Sequence, residues 1–227
     1  MGSKAGVIMF AERDPREVFQ GDLTIDQAQS QRLAEGVLGA AAEEVEILPL
    51  DLAIWPNPGI VGAASFEGLE LVSSLGFARS RPSELTEVVS RLSAGRDAYG
   101  VFMQSTDDSM GIATWKDGQL LRALSMSPDA GVIEDIGERL PFEDPFWAGE
   151  HPLTHAPDYP LPFHPSDLGN EALKAFFGFI LEGSLDDTVF DPEDVEIPVF
   201  KAAGRDLPVI DASRMVRREL TLEQFLG

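Results

Sequence analysis

Hydrophobic and polar positions divide the chain into stretches of two different periods. Residues 5–11 form a continuous apolar run with β-branched content, which predicts a buried first strand. Asp14-Pro15 and Gly21-Asp22 then break the chain. Ile25, Ala28, Leu33, Val37 and Leu38 recur near the helical period, so residues 24–39 read as an amphipathic helix. Thr24 and Gln27 stand in capping-box spacing and Gly39 is its natural stop. Residues 45–52 alternate acids with apolar residues, which predicts a half-exposed strand ending in the rigid turn Trp55-Pro56-Asn57-Pro58-Gly59. Residues 60–66 and 69–74 form a hairpin about Glu67-Gly68. Pro82 opens a second helix over 83–93, with Leu85, Val88, Val89 and Leu92 on one face. Residues 97–106, 110–116 and 119–126 then read as a three-strand meander whose last turn is Asp117-Gly118.

Beyond Met126 the pattern changes. Val132, Ile133 and Ile136 suit one short strand. Residues 141–165 carry a proline about every four positions, which excludes helix and central strand. The same stretch is too aromatic for a linker and predicts an ordered loop wrapped over the sheet. A third helix is expected over 168–182, stopped by Gly183, and an edge strand over 197–202. These elements add up to an α+β fold: a mixed, largely antiparallel sheet, about three helices packed on it, and a long Pro/aromatic-rich loop. Residues 1–183 are expected to form a single domain that includes the loop 127–168. Residues 184–227 are an acidic segment and a C-terminal tail, with Arg214, Arg217 and Arg218 before an amphipathic end, docked on that domain.

Charge narrows the function. The 227 residues hold 39 acidic and 17 basic side chains, a net charge of −22. Such a chain is repelled by phosphate backbones and anionic membrane surfaces, which argues against nucleic acid and membrane as partners and favours a basic protein. Absence of cysteine excludes disulfides, thiolate metal sites and cysteine nucleophiles, and fits a reducing compartment. The apolar run at 6–11 is too short for a signal-peptide core and no run approaches a membrane helix, so a cytoplasmic location is expected.

Several segments carry a resemblance. Trp115-Lys116-Asp117-Gly118, Ser125-Met126-Ser127-Pro128-Asp129-Ala130-Gly131-Val132-Ile133-Glu134-Asp135-Ile136-Gly137-Glu138, Leu140-Pro141-Phe142-Glu143, Trp147-Ala148-Gly149-Glu150-His151-Pro152 and Tyr159-Pro160-Leu161-Pro162-Phe163-His164-Pro165 follow one another. In that order they resemble an uncharacterised family of actinobacterial proteins classed only as a domain of unknown function. The resemblance implies a soluble bacterial protein and carries over neither an activity nor a site.

Three candidate sites follow from the residues. His151, His155 and His164 lie close in sequence, flanked by Glu150, Asp158 and Asp167, and imidazole with carboxylate is what zinc, iron or manganese takes when thiolate is absent. Their spacing matches no established metal motif, so structural or surface histidines are the plainer reading. Asp129, Glu134, Asp135 and Glu138 could run acid–base chemistry if burial raised one of them, but Ser127-Pro128-Asp129 and the glycines around it are ordinary turn chemistry. The aromatic segment, with Trp147 and Glu150, has the make-up of an interface: rings as anchors and carboxylates at the rim. No Gly-x-Ser-x-Gly elbow, phosphate loop or dinucleotide fingerprint is present. The reading that results is an acidic, non-enzymatic interaction module, immunity- or inhibitor-like, that binds a basic partner through Asp129, Glu134, Asp135, Glu138, Trp147 and Glu150. No catalytic residue and no cofactor are assigned. The alternative is a metal-dependent enzyme in which His151, His155 and His164 hold a divalent ion.

Overall fold

The structure, a computed structural model, describes residues 3–153 and 159–205. Nine strands form one sheet: β1 (Lys4–Ala11), β2 (Ala42–Pro49), β3 (Ile60–Phe66), β4 (Leu69–Ser73), β5 (Asp97–Gln104), β6 (Ser109–Lys116), β7 (Gln119–Ser127), β8 (Gly131–Ile136) and β9 (Glu196–Ala202). Their order is β2-β9-β3-β4-β1-β5-β6-β7-β8, and every pairing is antiparallel. The helices are α1 (Pro15–Phe19), α2 (Gln27–Leu38), α3 (Leu50–Ala53), α4 (Thr86–Leu92), α5 (Asp144–Trp147) and α6 (Pro165–Phe177). The α+β expectation therefore holds, with three helices of some length and with no parallel pairing among the described residues.

Alternation along the strands places a core on each face. Val7 and Met9 of β1 join Val101, Ile112, Leu124 and Met126 beneath Leu168, Ala172, Leu173 and Phe177 of α6. Ile8 and Phe10 point the other way, to Phe102, Trp115 and Ala123, under Leu33 and Ala34 of α2 and Val89 of α4. This is why the first strand reads as apolar throughout rather than alternating: it is central and covered on both sides.

Local boundaries differ from the sequence reading where a side chain or glycine decides them. Asp26, not Thr24, caps α2, accepting from the Gln29 N–H at 2.9 Å. Helix α6 begins at Pro165 and stops at Gly178 (φ 85°), whose N–H bonds back to Leu173 O and Lys174 O, so the expected stop at Gly183 lies well past its end. One turn of helix, α5, interrupts the proline-rich stretch, with Pro145 in its first turn where a missing N–H costs nothing. Strand β9 was expected at an edge but lies between β2 and β3, because Ile197, Val199 and Phe200 are all buried. The edges of the sheet are β2 and β8.

Candidate functional site

Strand β8 pairs with β7 on one side and with no other strand among the described residues. Residues opposite each other in an antiparallel pair share a face. Ile136 thus lies on the side of its partner Ala123, and Asp135 on the side of Leu124. Three apolar side chains remain in water at this edge: Leu121 at 53% exposure, Val132 at 43% and Ile136 at 42%. Asp129 precedes the strand and Glu138 follows it, both exposed. Gly137 ends it with φ 78°, and a Cβ there would stand 1.9 Å from Leu121 O, so only glycine lets the chain pass so close to β7.

The other two carboxylates of this stretch are bound inside the molecule. Glu134 is buried and accepts from the Ser83 N–H at 2.9 Å and the Ser83 hydroxyl at 2.5 Å, which fastens β8 to the turn leading into α4. Asp135 accepts from Arg122 Nη1 at 2.5 Å while its side chain stays 43% exposed. Arg122 in turn grips Glu143 with Nε and Nη2 at 2.9 and 2.6 Å, and donates to Ile136 O at 3.0 Å. Both Arg122 and Glu143 are fully enclosed, at 1% and 0% exposure. Burial works against the charge on Arg122, but its hydrogen bonds to Glu143 and Asp135 outweigh that and raise its pKa. Glu143 Oε1 also accepts from Leu140 N–H at 3.0 Å. The bidentate pair is what holds residues 137–143 down on the sheet.

Beyond that anchor, Arg139 lies over the Trp147 ring at 4.5 Å and Trp147 meets Phe163 edge-on. Trp147 is half-buried and Glu150 exposed. His151 stacks on Phe146, with ring centroids 3.9 Å apart and planes 8° from parallel. His164 is elsewhere occupied: its Nδ1 lies 2.8 Å from Asp108 Oδ2 in the β5–β6 turn. Asp108 also accepts from the Tyr159 hydroxyl and, through Oδ1, from Ser166 N–H and Oγ at 3.1 and 2.7 Å, at the start of α6. Burial alone would raise the pKa of Asp108, yet the bonds from Tyr159, His164 and Ser166 outweigh it and hold the carboxyl below its usual value. Burial and the Asp108 carboxylate together push the Tyr159 hydroxyl well up. Among the described residues no three His, Asp or Glu side chains converge as metal ligands. His155 lies outside those residues.

An open cleft of about 320 Å³ sits at the end of β1, lined by Arg13, Arg16, Asp97, Tyr99 and Phe176 among others. Its walls are charged rather than apolar, and Arg16 is already bound to Asp14 at 2.5 Å. At the far edge of the sheet Val45, Ile47 and Leu52 are 45–47% exposed beside Glu44 and Glu46. No helix among the described residues is long and apolar enough to cross a membrane.

Of the residues singled out from sequence, Asp129, Asp135 and Glu138 line one edge, Glu134 is turned inward, and Trp147, Glu150 and His151 belong to the anchored loop beyond it. Sequence reasoning missed Arg122 and Glu143, and it read Asp107-Asp108 as a solvated loop, whereas Asp108 binds His164 and Ser166. A lone arginine at an otherwise apolar stretch of β7 was the available signal for the first. Among known proteins, no curated protein and no solved structure matches the chain. Residues 5–200 match a family of unknown function (DUF6928). That match spans most of the chain, so the protein belongs to this family of unknown function.

Proposed function

We propose that the protein is a non-enzymatic binding module that takes a basic polypeptide along the outer edge of β8. The observation that carries this reading is the make-up of that edge: a strand paired on one side only among the described residues, with Val132 and Ile136 of β8 and Leu121 of the adjoining β7 in water and carboxylates at Asp129, Asp135 and Glu138 along it. Strand addition supplies affinity through main-chain hydrogen bonds, and the apolar side chains and carboxylates select what is added. The Arg122–Glu143 pair and the Glu134–Ser83 bonds keep the strand rigid, so little ordering is left to be done on binding. With a net charge of −22, long-range attraction speeds encounter with a cationic partner and fades with added salt. Inhibition of a basic protein, as by an immunity protein, is the concrete form of this reading. Capture from native-cell lysate tests it: wild type retains basic proteins at low salt, and L121K/I136K does not. Equal capture by both, or capture of acidic proteins, contradicts it.

A second reading, a metal-dependent enzyme built on His151, His155 and His164, has one observation in its favour. Asp108 engages Nδ1 of His164, the arrangement in which a carboxylate orients a metal-ligating imidazole and leaves Nε2 for the ion. Elemental analysis of protein purified without chelator decides it. Stoichiometric zinc, iron or manganese that vanishes in H151A/H155A/H164A favours it, and the same metal content in both proteins counts against it.

A further inference from the structure

We propose that the C-terminal segment, residues 206–227, docks in cis along the free edge of β2, its basic stretch 212–218 set against Glu44 and Glu46. Strand β2 is exposed from Glu43 to Ile47 and carries Val45 and Ile47 in water. An edge of this kind, unpaired and with apolar side chains in water, is one that folded proteins cover or protect with charge. Here Glu44, Glu46 and a bulge between them give partial protection, but Val45 and Ile47 remain in water.

The chain itself delivers the cover. It leaves β9 beside the start of β2, where Ala203 N–H donates to Ala41 O at 2.8 Å. The outer side of β2 is one strand spacing away, about 4.8 Å, and β2 is about 27 Å long. Twenty-two residues remain after Arg205, and fully extended they span about 75 Å. The other edge, β8, is eight strand positions from β2, about 38 Å across the sheet. The segment therefore meets β2 first.

Charge selects the register. Residues 212–218 hold Arg214, Arg217 and Arg218 and no acid, in a chain whose net charge is −22. Glu43 is already held by Lys201 of β9 at 2.8 Å. Glu44 and Glu46 are the carboxylates that remain for the arginines, and Met215 and Val216 are the apolar residues within the same stretch to cover Val45 and Ile47. This proposal is independent of the β8 reading and uses the opposite edge.

Hydrogen exchange on the full chain tests it, with four proteins. In wild type the outward-facing amides of β2 are protected. In R214E/R217E/R218E and in E44K/E46K they exchange at least tenfold faster, and in the combined charge swap of all five positions protection returns. Unprotected β2 amides in wild type, exchange unchanged in the single-side variants, or a swap that restores nothing overturns the proposal. Sedimentation over a hundredfold concentration range separates cis from trans: a monomer is expected, and a wild-type dimer lost in R214E/R217E/R218E overturns docking in cis.

Discussion

The sheet ends in two edges built from the same residue types, acids among β-branched residues, yet the acids do different work. At β2, Glu44 and Glu46 are exposed, and among the described residues only Glu43 of these three has an ion-pair partner, Lys201 at 2.8 Å. At β8, Glu134 is drawn inward to Ser83, and Asp135 is tied to the buried Arg122. The difference is set by whether a donor waits beneath the strand. Neighbouring β7 puts Arg122 there and the turn before α4 puts Ser83 there; at β2, Lys201 reaches Glu43 and Gln31 of α2 donates to the Ala42 carbonyl, and neither is bonded to Glu44 or Glu46. The result is one edge locked in place by buried charge and one where Glu44 and Glu46 find no partner among the described residues.

The sharpest way to break this contrast is at Arg122. Arg122→Met removes one partner of a fully buried bidentate pair and leaves Glu143 charged without compensation, a loss of about 3–5 kcal/mol. Urea denaturation reads it, and the double variant R122M/E143M recovers most of that loss, because apolar residues of similar volume tolerate the site. Glu134→Ala leaves Ser83 N–H without its acceptor and costs about 1–3 kcal/mol by the same measurement.

A control away from both edges is Asp108→Asn, which weakens a carboxylate that accepts from three side chains and costs about 1–3 kcal/mol at neutral pH. Because the folded-state pKa of Asp108 is lowered, its contribution is complete above the ordinary aspartate value and is lost as pH falls through the lowered one. The stability gap between wild type and D108N therefore narrows below about pH 4. The smallest effect on global stability belongs to β2. E44Q/E46Q changes the unfolding free energy by about 0.5 kcal/mol or less, since ion pairs made by exposed carboxylates, those with the C-terminal arginines included, add little to the fold as a whole.

These outcomes also mark what the sequence makes legible. The meander from β5 to β7 follows from alternation and the Asp117-Gly118 turn, and the three longer helices follow from the 3.6-residue period. Those signals are local. The place of β9 is not: a short apolar run reads the same at an edge or in the interior, and only its pairing with β2 and β3 decides. The candidate site was legible in part for the same reason. Exposed Asp129 and Glu138 follow from turn-like surroundings, whereas the burial of Glu134 depends on Ser83, 51 residues earlier, and the pairing of Glu143 on Arg122, 21 residues earlier. His164 was read beside the other histidines, but its partner is Asp108, brought over from the β5–β6 turn.

The central claim is that β8, rather than β2, is the edge offered to a partner, and that the partner is cationic. A nuclear magnetic resonance titration of the full chain tests it most directly, with a short peptide of alternating lysine and valine against one of alternating glutamate and valine. The lysine peptide is expected to shift the amide resonances of Leu121, of residues 131–137 and of no others in the sheet, with the effect lost at high salt and the glutamate peptide inert. Shifts at β2 instead of β8, equal shifts with both peptides, or none at all would contradict it.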